Sequence, residues 1–122
     1  MKLEPFILII EKSPEFRKTL KELLESEGYR VSAAASGTEA VIELRRGAVP
    51  CLILIDIVMP TLEGWALIDE IQANTNIANV PIYASAEIVH SARSFKVTGV
   101  IKRVEIDEIT SIVRKHCKRR ES

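Results

Sequence analysis

The chain has 122 residues, 47% of them apolar and 28% charged, and its 17 basic side chains equal its 17 acidic ones. That is the size and composition of one globular domain, able to bury roughly two-thirds of its unfolded surface without a disulfide or a structural metal. Zero net charge argues against a dedicated nucleic-acid binder, and no apolar run approaches the ~20 residues that span a membrane.

The opening Met1-Lys2-Leu3-Glu4-Pro5 lacks a signal-peptide pattern. Phe6 to Ile10 is a continuous apolar run ending at Glu11, short and isoleucine-rich as a strand buried on both faces is. Ser13-Pro14 then supplies an N-cap and a first-turn proline. Phe16, Leu20, Leu23 and Leu24 form the apolar stripe of the first helix, and Gly28 stops it. Arg30 to Ala35 reads as a weaker strand. Ser36-Gly37-Thr38-Glu39 matches a capping box, and the helix it opens carries Ala40, Val41 and Leu44 before Gly47.

Cys51 to Ile55 is the most hydrophobic run, a third strand, and it ends in Asp56. Cys51 and Cys117 have no metal-ligand spacing, and Cys51 reads as a small core residue rather than a reactive thiol. Reduced thiols and a cytoplasmic location are the expectation. Met59-Pro60 interrupts, and Gly64 leads into a helix with Leu67, Ile68 and Ile71. Val80 to Ala84 reads as a fourth strand, Glu87 to about Phe95 as a short helix, and Gly99 to Ile101 as a fifth strand ending at Lys102. Ile106, Ile109, Ile112 and Val113 stripe a last helix, acidic at its start and basic at its end, as the helix dipole favours. The basic end reads as a solvated helix terminus rather than a nucleic-acid patch, because no aromatics interleave.

Five strands alternating with helices predict a single α/β domain over residues 1–122. Its fold class is a doubly wound, five-stranded parallel sheet, order 2-1-3-4-5, as in flavodoxin-like folds. In such sheets ligands bind beyond the carboxyl ends of the strands. The residues there are Glu11-Lys12, Asp56, Ser85 and Lys102: carboxylates, a hydroxyl and amines at the ends of neighbouring strands.

These segments resemble the receiver domain of two-component response regulators. Ile7 to Glu11 is similar to its first strand and acidic pocket. Leu52 to Pro60 with Glu63-Gly64 is similar to its phosphoacceptor segment, Pro81 to Ala86 to its switch-bearing fourth strand, and Val100-Ile101-Lys102 to its fifth strand. The resemblance implies that Asp56 accepts a phosphoryl group from a histidine kinase or phosphotransfer protein, by nucleophilic attack of a carboxylate. It implies Mg²⁺ at Glu11, Asp56 and the Val58 carbonyl, with Lys102 paired to the phosphoryl group and Ser85 hydrogen-bonded to it. It implies a cytoplasmic signalling domain that is not an enzyme, has an output partner, and neither binds nucleic acid directly nor enters a membrane.

The sequence departs from the family at three places. Lys12 stands where a second carboxylate usually ligates the metal, so Mg²⁺ binding is expected to be weak. Its ammonium is expected to reach towards Asp56 or Glu11, an attraction of about 4 kcal/mol at ~4 Å and an effective dielectric of ~20, before desolvation. Arg103 follows Lys102 where the family commonly has proline after a cis bond, a geometry costing ~3 kcal/mol without proline. Gly99 takes the place of an aromatic that commonly swings with the switch hydroxyl. Lys12, Gly99 and a stretch between Ser85 and Lys102 that is shorter than usual favour the alternative, a phosphorylation-independent module that binds proteins. An enzyme on a similar sheet fits less well, since Glu11-Lys12-Ser13-Pro14-Glu15 is no phosphate loop and no P-loop or dinucleotide glycine pattern appears.

Overall fold

Burial on both faces sets the centre of the molecule. In the computed structural model, which describes residues 5–47, 49–55, 70–74, 77–85, 99–101 and 105–119, every residue of β1 (Ile7–Ile10) and β3 (Leu52–Ile55) is buried. With β2 (Val31–Ala34), β4 (Ile82–Ser85) and β5 (Gly99–Ile101) they form a parallel sheet in the order β2-β1-β3-β4-β5. The predicted strand order and parallel pairing are therefore those observed. The fourth strand begins two residues later than predicted. Val80 instead closes a turn, its N–H donating to the Ile77 carbonyl at 3.0 Å.

Alternation along the strands divides the core in two. Leu8, Ile10, Ile53, Ile55, Ile82 and Ala84 face one side, with Ala40 and Leu44 of α2 (Gly37–Arg45) and Ile71 from a helical stretch at 70–73. Ile7, Ile9, Leu52, Leu54, Tyr83 and Ile101 face the other, with Leu20 and Leu24 of α1 (Pro14–Ser26) and Ile109 and Val113 of α3 (Ile106–His116). Helices on both faces of a parallel sheet are the doubly wound arrangement.

Local chemistry explains where the helices begin and end. The Ser13 hydroxyl accepts from the Phe16 N–H at 3.4 Å, and Pro14 occupies the first turn. The Ser36 hydroxyl accepts from the Glu39 N–H at 3.2 Å, while the Glu39 carboxylate accepts from the Ala35 N–H at 2.7 Å. That is the predicted capping box, closing one residue upstream of the cap itself. Gly28 and Gly47 follow α1 and α2 with φ of +97° and +89°, the left-handed conformation glycine adopts without penalty. The last helix carries Asp107 and Glu108 in its first turn and Arg114, Lys115 and His116 in its last.

Two expectations are corrected. Ile106 is not part of the buried stripe of α3; it is 56% exposed, and Thr110 is buried instead, its hydroxyl donating to the Asp107 carbonyl at 3.2 Å. Cys51 is not a free core thiol: it is bonded to Cys117, 66 residues away, with the two Cα atoms 5.6 Å apart. The last residue of α3's cap lies beside the first residue before β3, a proximity created by the tertiary fold. The predicted helix from Glu87 to about Phe95 and the segment from Asp56 to Ile68 lie outside the described residues.

Candidate functional site

The sheet register aligns the strand ends. Ile10 is paired with Ile55, Ile55 with Ala84, and Ser85 with Ile101. The residues that follow or end these strands are Glu11, Asp56, Ser85 and Lys102. Of the predicted site residues, Glu11 is described in full and Ser85 as the last residue of β4. Asp56, Val58 and Lys102 lie outside the described residues, as does the Lys102–Arg103 bond.

Glu11 is fully buried. A buried carboxylate requires donors or cations around it, because leaving it unsolvated is costly. Its backbone N–H donates to the Ala34 carbonyl at 3.0 Å, which extends the β1–β2 ladder by one residue. Its Oε2 accepts from the Ser13 N–H at 3.1 Å, folding the side chain back over the start of α1. Its carbonyl accepts from Arg17 Nη1 at 2.8 Å. Sequence reasoning did not single out Arg17. The available signal was its place one helical turn after the Ser13 cap, which turns a guanidinium towards the strand end.

Lys12 is exposed and, among the described residues, forms no ion pair. The expected reach towards Glu11 is therefore corrected; the reach towards Asp56 lies outside the described residues. The physical reason is local. The Ser13 amide already occupies one Glu11 oxygen, and a lysine stem lets the ammonium stay hydrated.

A second arrangement joins β4, β5 and α3. A Cβ on Gly99 would meet Tyr83 Cε2 at 2.4 Å, so the tyrosine ring lies where a side chain at 99 would start. At the position where the family commonly has an aromatic, Gly99 therefore makes room for the ring of Tyr83 on β4. The Tyr83 hydroxyl is 3.0 Å from His116 Nε2, and the two rings are 5.4 Å apart at 58°. Burial, then the nearby Lys115 charge, holds the His116 imidazole below its ordinary pKa. An uncharged imidazole with its proton on Nδ1 can accept a hydrogen bond from the phenol at Nε2.

Among the described residues no cluster of three or more His, Cys, Asp or Glu side chains could by itself hold a metal, and no helix is long and apolar enough to cross a membrane. Glu11 places a hard carboxylate oxygen at this edge, and in the sequence Asp56 comes next after the end of β3, with Val58 two residues further on. Oxygen donors of that type suit Mg²⁺, and Lys12 leaves the set one carboxylate short of a pocket with two acids beside Asp56.

Comparison with known proteins bears on these features. The family model described as response regulator receiver domain matches residues 7–114. The hybrid signal transduction histidine kinase D of Dictyostelium discoideum is 34% identical over 79 residues, 65% of this chain and 5% of that protein. The chain spans a small part of that relative, and about a third of the transcriptional regulator ycf27 of Porphyra purpurea, which is 29% identical over 82 residues. The signal receiver domain of a signal transduction histidine kinase from Syntrophus aciditrophicus superimposes with a TM-score of 0.78 at 28% identity, covering 97% of this chain and 96% of that one. The response regulator TrrA of Thermotoga maritima, in complex with Mg²⁺-BeF, superimposes at 0.75 with 27% identity, covering 91% and 97%.

Proposed function

The chain belongs to the response regulator receiver domain family, and from that membership we propose that Asp56 accepts a phosphoryl group from a phosphohistidine of a histidine kinase or phosphotransfer protein. A carboxylate oxygen of Asp56 attacks phosphorus. The bond from phosphorus to the donor imidazole breaks, and its electron pair leaves with the imidazole nitrogen. Lys102 offsets charge on the phosphoryl oxygens, and the Ser85 hydroxyl donates a hydrogen bond to one of them. Because Ser85 ends β4, that bond draws on the strand that carries Tyr83.

Mg²⁺ would be held by Asp56, the Val58 carbonyl and Glu11, and when bound it neutralises charge between the two approaching anions. Lys12 contributes no oxygen where the family usually has a carboxylate, so the ion is held more weakly. The domain signals rather than turning over a metabolite. Its phosphodonor is made from ATP inside the cell, so we read it as cytoplasmic.

The observation that carries this reading is the fully buried Glu11, at the end of a strand paired in register with the one that runs into Asp56. The similarity to receivers of histidine kinases and to a response regulator bound to Mg²⁺-BeF supports it and does not favour a phosphate-independent binding module. The test is transfer from a phosphorylated histidine kinase. Label should pass to the wild type, not to Asp56→Asn, and chelation of Mg²⁺ should stop it. Label arriving on Asp56→Asn would refute the assignment.

A further inference from the structure

We propose that Cys51 and Cys117 form a redox-active site, at which small thiols and peroxide-class oxidants open and close a covalent latch between the end of α3 and the start of β3. The fold, not the bond alone, brings the sulphurs together. The Cys51 N–H donates to the Phe6 carbonyl at 2.8 Å, tying it to the β1–β3 ladder. The Cys117 N–H donates to the Val113 carbonyl at 2.8 Å, and α3 is anchored by the buried Ile109 and Val113. The strand contact of Cys51 and the buried Ile109 and Val113 under α3 survive reduction and keep the two thiols near one another, while the last turn at Cys117 is free to loosen.

The two sulphurs differ in access. Cys117 is buried, 7% exposed, whereas Cys51 is half-buried and open to a small reactant. Cys51 Sγ also lies 3.3 Å from the Phe6 carbonyl oxygen. A bonded sulphur has no proton to offer that oxygen, but a thiol does. Opening the latch therefore leaves Cys51 with a partner ready.

The chemistry balances with named reactants. A thiolate such as glutathione attacks Cys51 Sγ, the S–S bond breaks, and its electron pair leaves on Cys117 Sγ, which takes up a proton. A second thiolate attacks the glutathione sulphur of the mixed disulfide and releases the Cys51 thiolate. The net change is two glutathione thiols to one glutathione disulfide, and one protein disulfide to two thiols. In the reverse direction one cysteine thiolate attacks hydrogen peroxide, forming a sulfenic acid and releasing water after protonation. The other thiol then attacks that sulphur, a second water leaves, and the disulfide is restored.

The latch connects to the rest of the molecule through one residue. Cys117 follows His116, whose ring reaches Tyr83 on β4, and Tyr83 lies over Gly99 of β5. Releasing Cys117 loosens the last turn of α3 and with it this contact. A disulfide exposed to cytoplasmic reductants is a sensing element more often than a permanent staple. Exposure of this bond to cytoplasmic reductants rests on the function proposed above.

The test equilibrates the full chain across glutathione to glutathione-disulfide ratios at neutral pH, traps free thiols with a maleimide, and counts them by intact mass. Hydrogen exchange is measured on the oxidised and reduced forms. The proposal expects the folded chain to pass between zero and two free thiols within the glutathione range. It expects the disulfide to re-form with hydrogen peroxide, and amide exchange at 113–117 to rise about tenfold on reduction while β1 and β3 stay protected. A disulfide resisting every ratio in the folded chain, one that never forms, or exchange independent of redox state would overturn it. Cys51→Ser should show the fast exchange permanently, and Cys117→Ser provides the same check if the first variant folds poorly. None of these readouts involves phosphate or Mg²⁺, so failure here is separable from failure of the phosphoacceptor reading.

Discussion

At the scale of single residues, Gly99 is required by its neighbour rather than by its own backbone. A Cβ there would stand 2.4 Å from Cε2 and 3.0 Å from Cδ2 of Tyr83, contacts that a ring packed between strands cannot relieve without moving. Gly99→Ala should therefore destabilise the domain by about 1–3 kcal/mol, as overpacking does. In a Tyr83→Ala background the same change should cost far less; denaturant unfolding of the four proteins in the cycle measures that coupling, and strict additivity would contradict it. The partner of Tyr83 gives a pH dependence. The His116 pKa is lowered in the folded state by burial and then by Lys115. The folded chain then binds fewer protons than the unfolded one between that lowered value and about 6.5, so stability falls as pH drops through this window and is fully present above it. His116→Gln should flatten that part of a stability profile; an unchanged profile would assign the dependence to other groups. Lys12 is exposed, so replacing it frees no buried partner among the described residues. Lys12→Asp should bind Mg²⁺ about tenfold more tightly, by supplying an oxygen ligand and removing a repelling charge. A titration followed by Trp65 fluorescence compares the two, and equal affinities would make Lys12 a bystander.

At the scale of elements, the covalent link between α3 and β3 closes 66 residues of chain. Constraining a loop of that length in the unfolded ensemble stabilises the fold by about 4 kcal/mol in the chain-entropy model. Cys51→Ser should lower stability towards that amount in oxidising buffer and by much less under reductant. An equal loss in both buffers would point to packing instead. The helices and strands themselves were largely legible in the sequence. Isoleucine-rich runs on buried central strands, Ser caps followed by Pro14 or Glu39, and glycine stops at 28 and 47 are local signals, and all act within a few residues. What was not legible is non-local. The pairing of Cys51 with Cys117 and of Tyr83 with His116 depends on where α3 packs, which no spacing encodes. Ile106 misled for a related reason: it extends the apolar period of α3, yet as the first residue of the helix it turns away from the sheet.

At the scale of the whole molecule, the order β2-β1-β3-β4-β5 is what gathers separate sequence positions along one edge. That edge was readable beforehand because each apolar run stops at a polar residue, and in a parallel sheet all strands point the same way. Glu11 ends β1 as the sequence indicates, its burial is a finding of the structure, and Arg17, seated on its carbonyl, could be found once the helix was placed on the strand. The sheet is covered by helices on both faces, and the polar residues that end its strands collect along this edge. The most direct test of the central claim is intact mass measurement after incubation with acetyl phosphate and Mg²⁺. The wild-type chain should gain the mass of one phosphoryl group and Asp56→Asn should gain none. A wild type that stays unmodified with acetyl phosphate and with a phosphorylated kinase, or an Asp56→Asn variant that gains the same mass, would contradict the account.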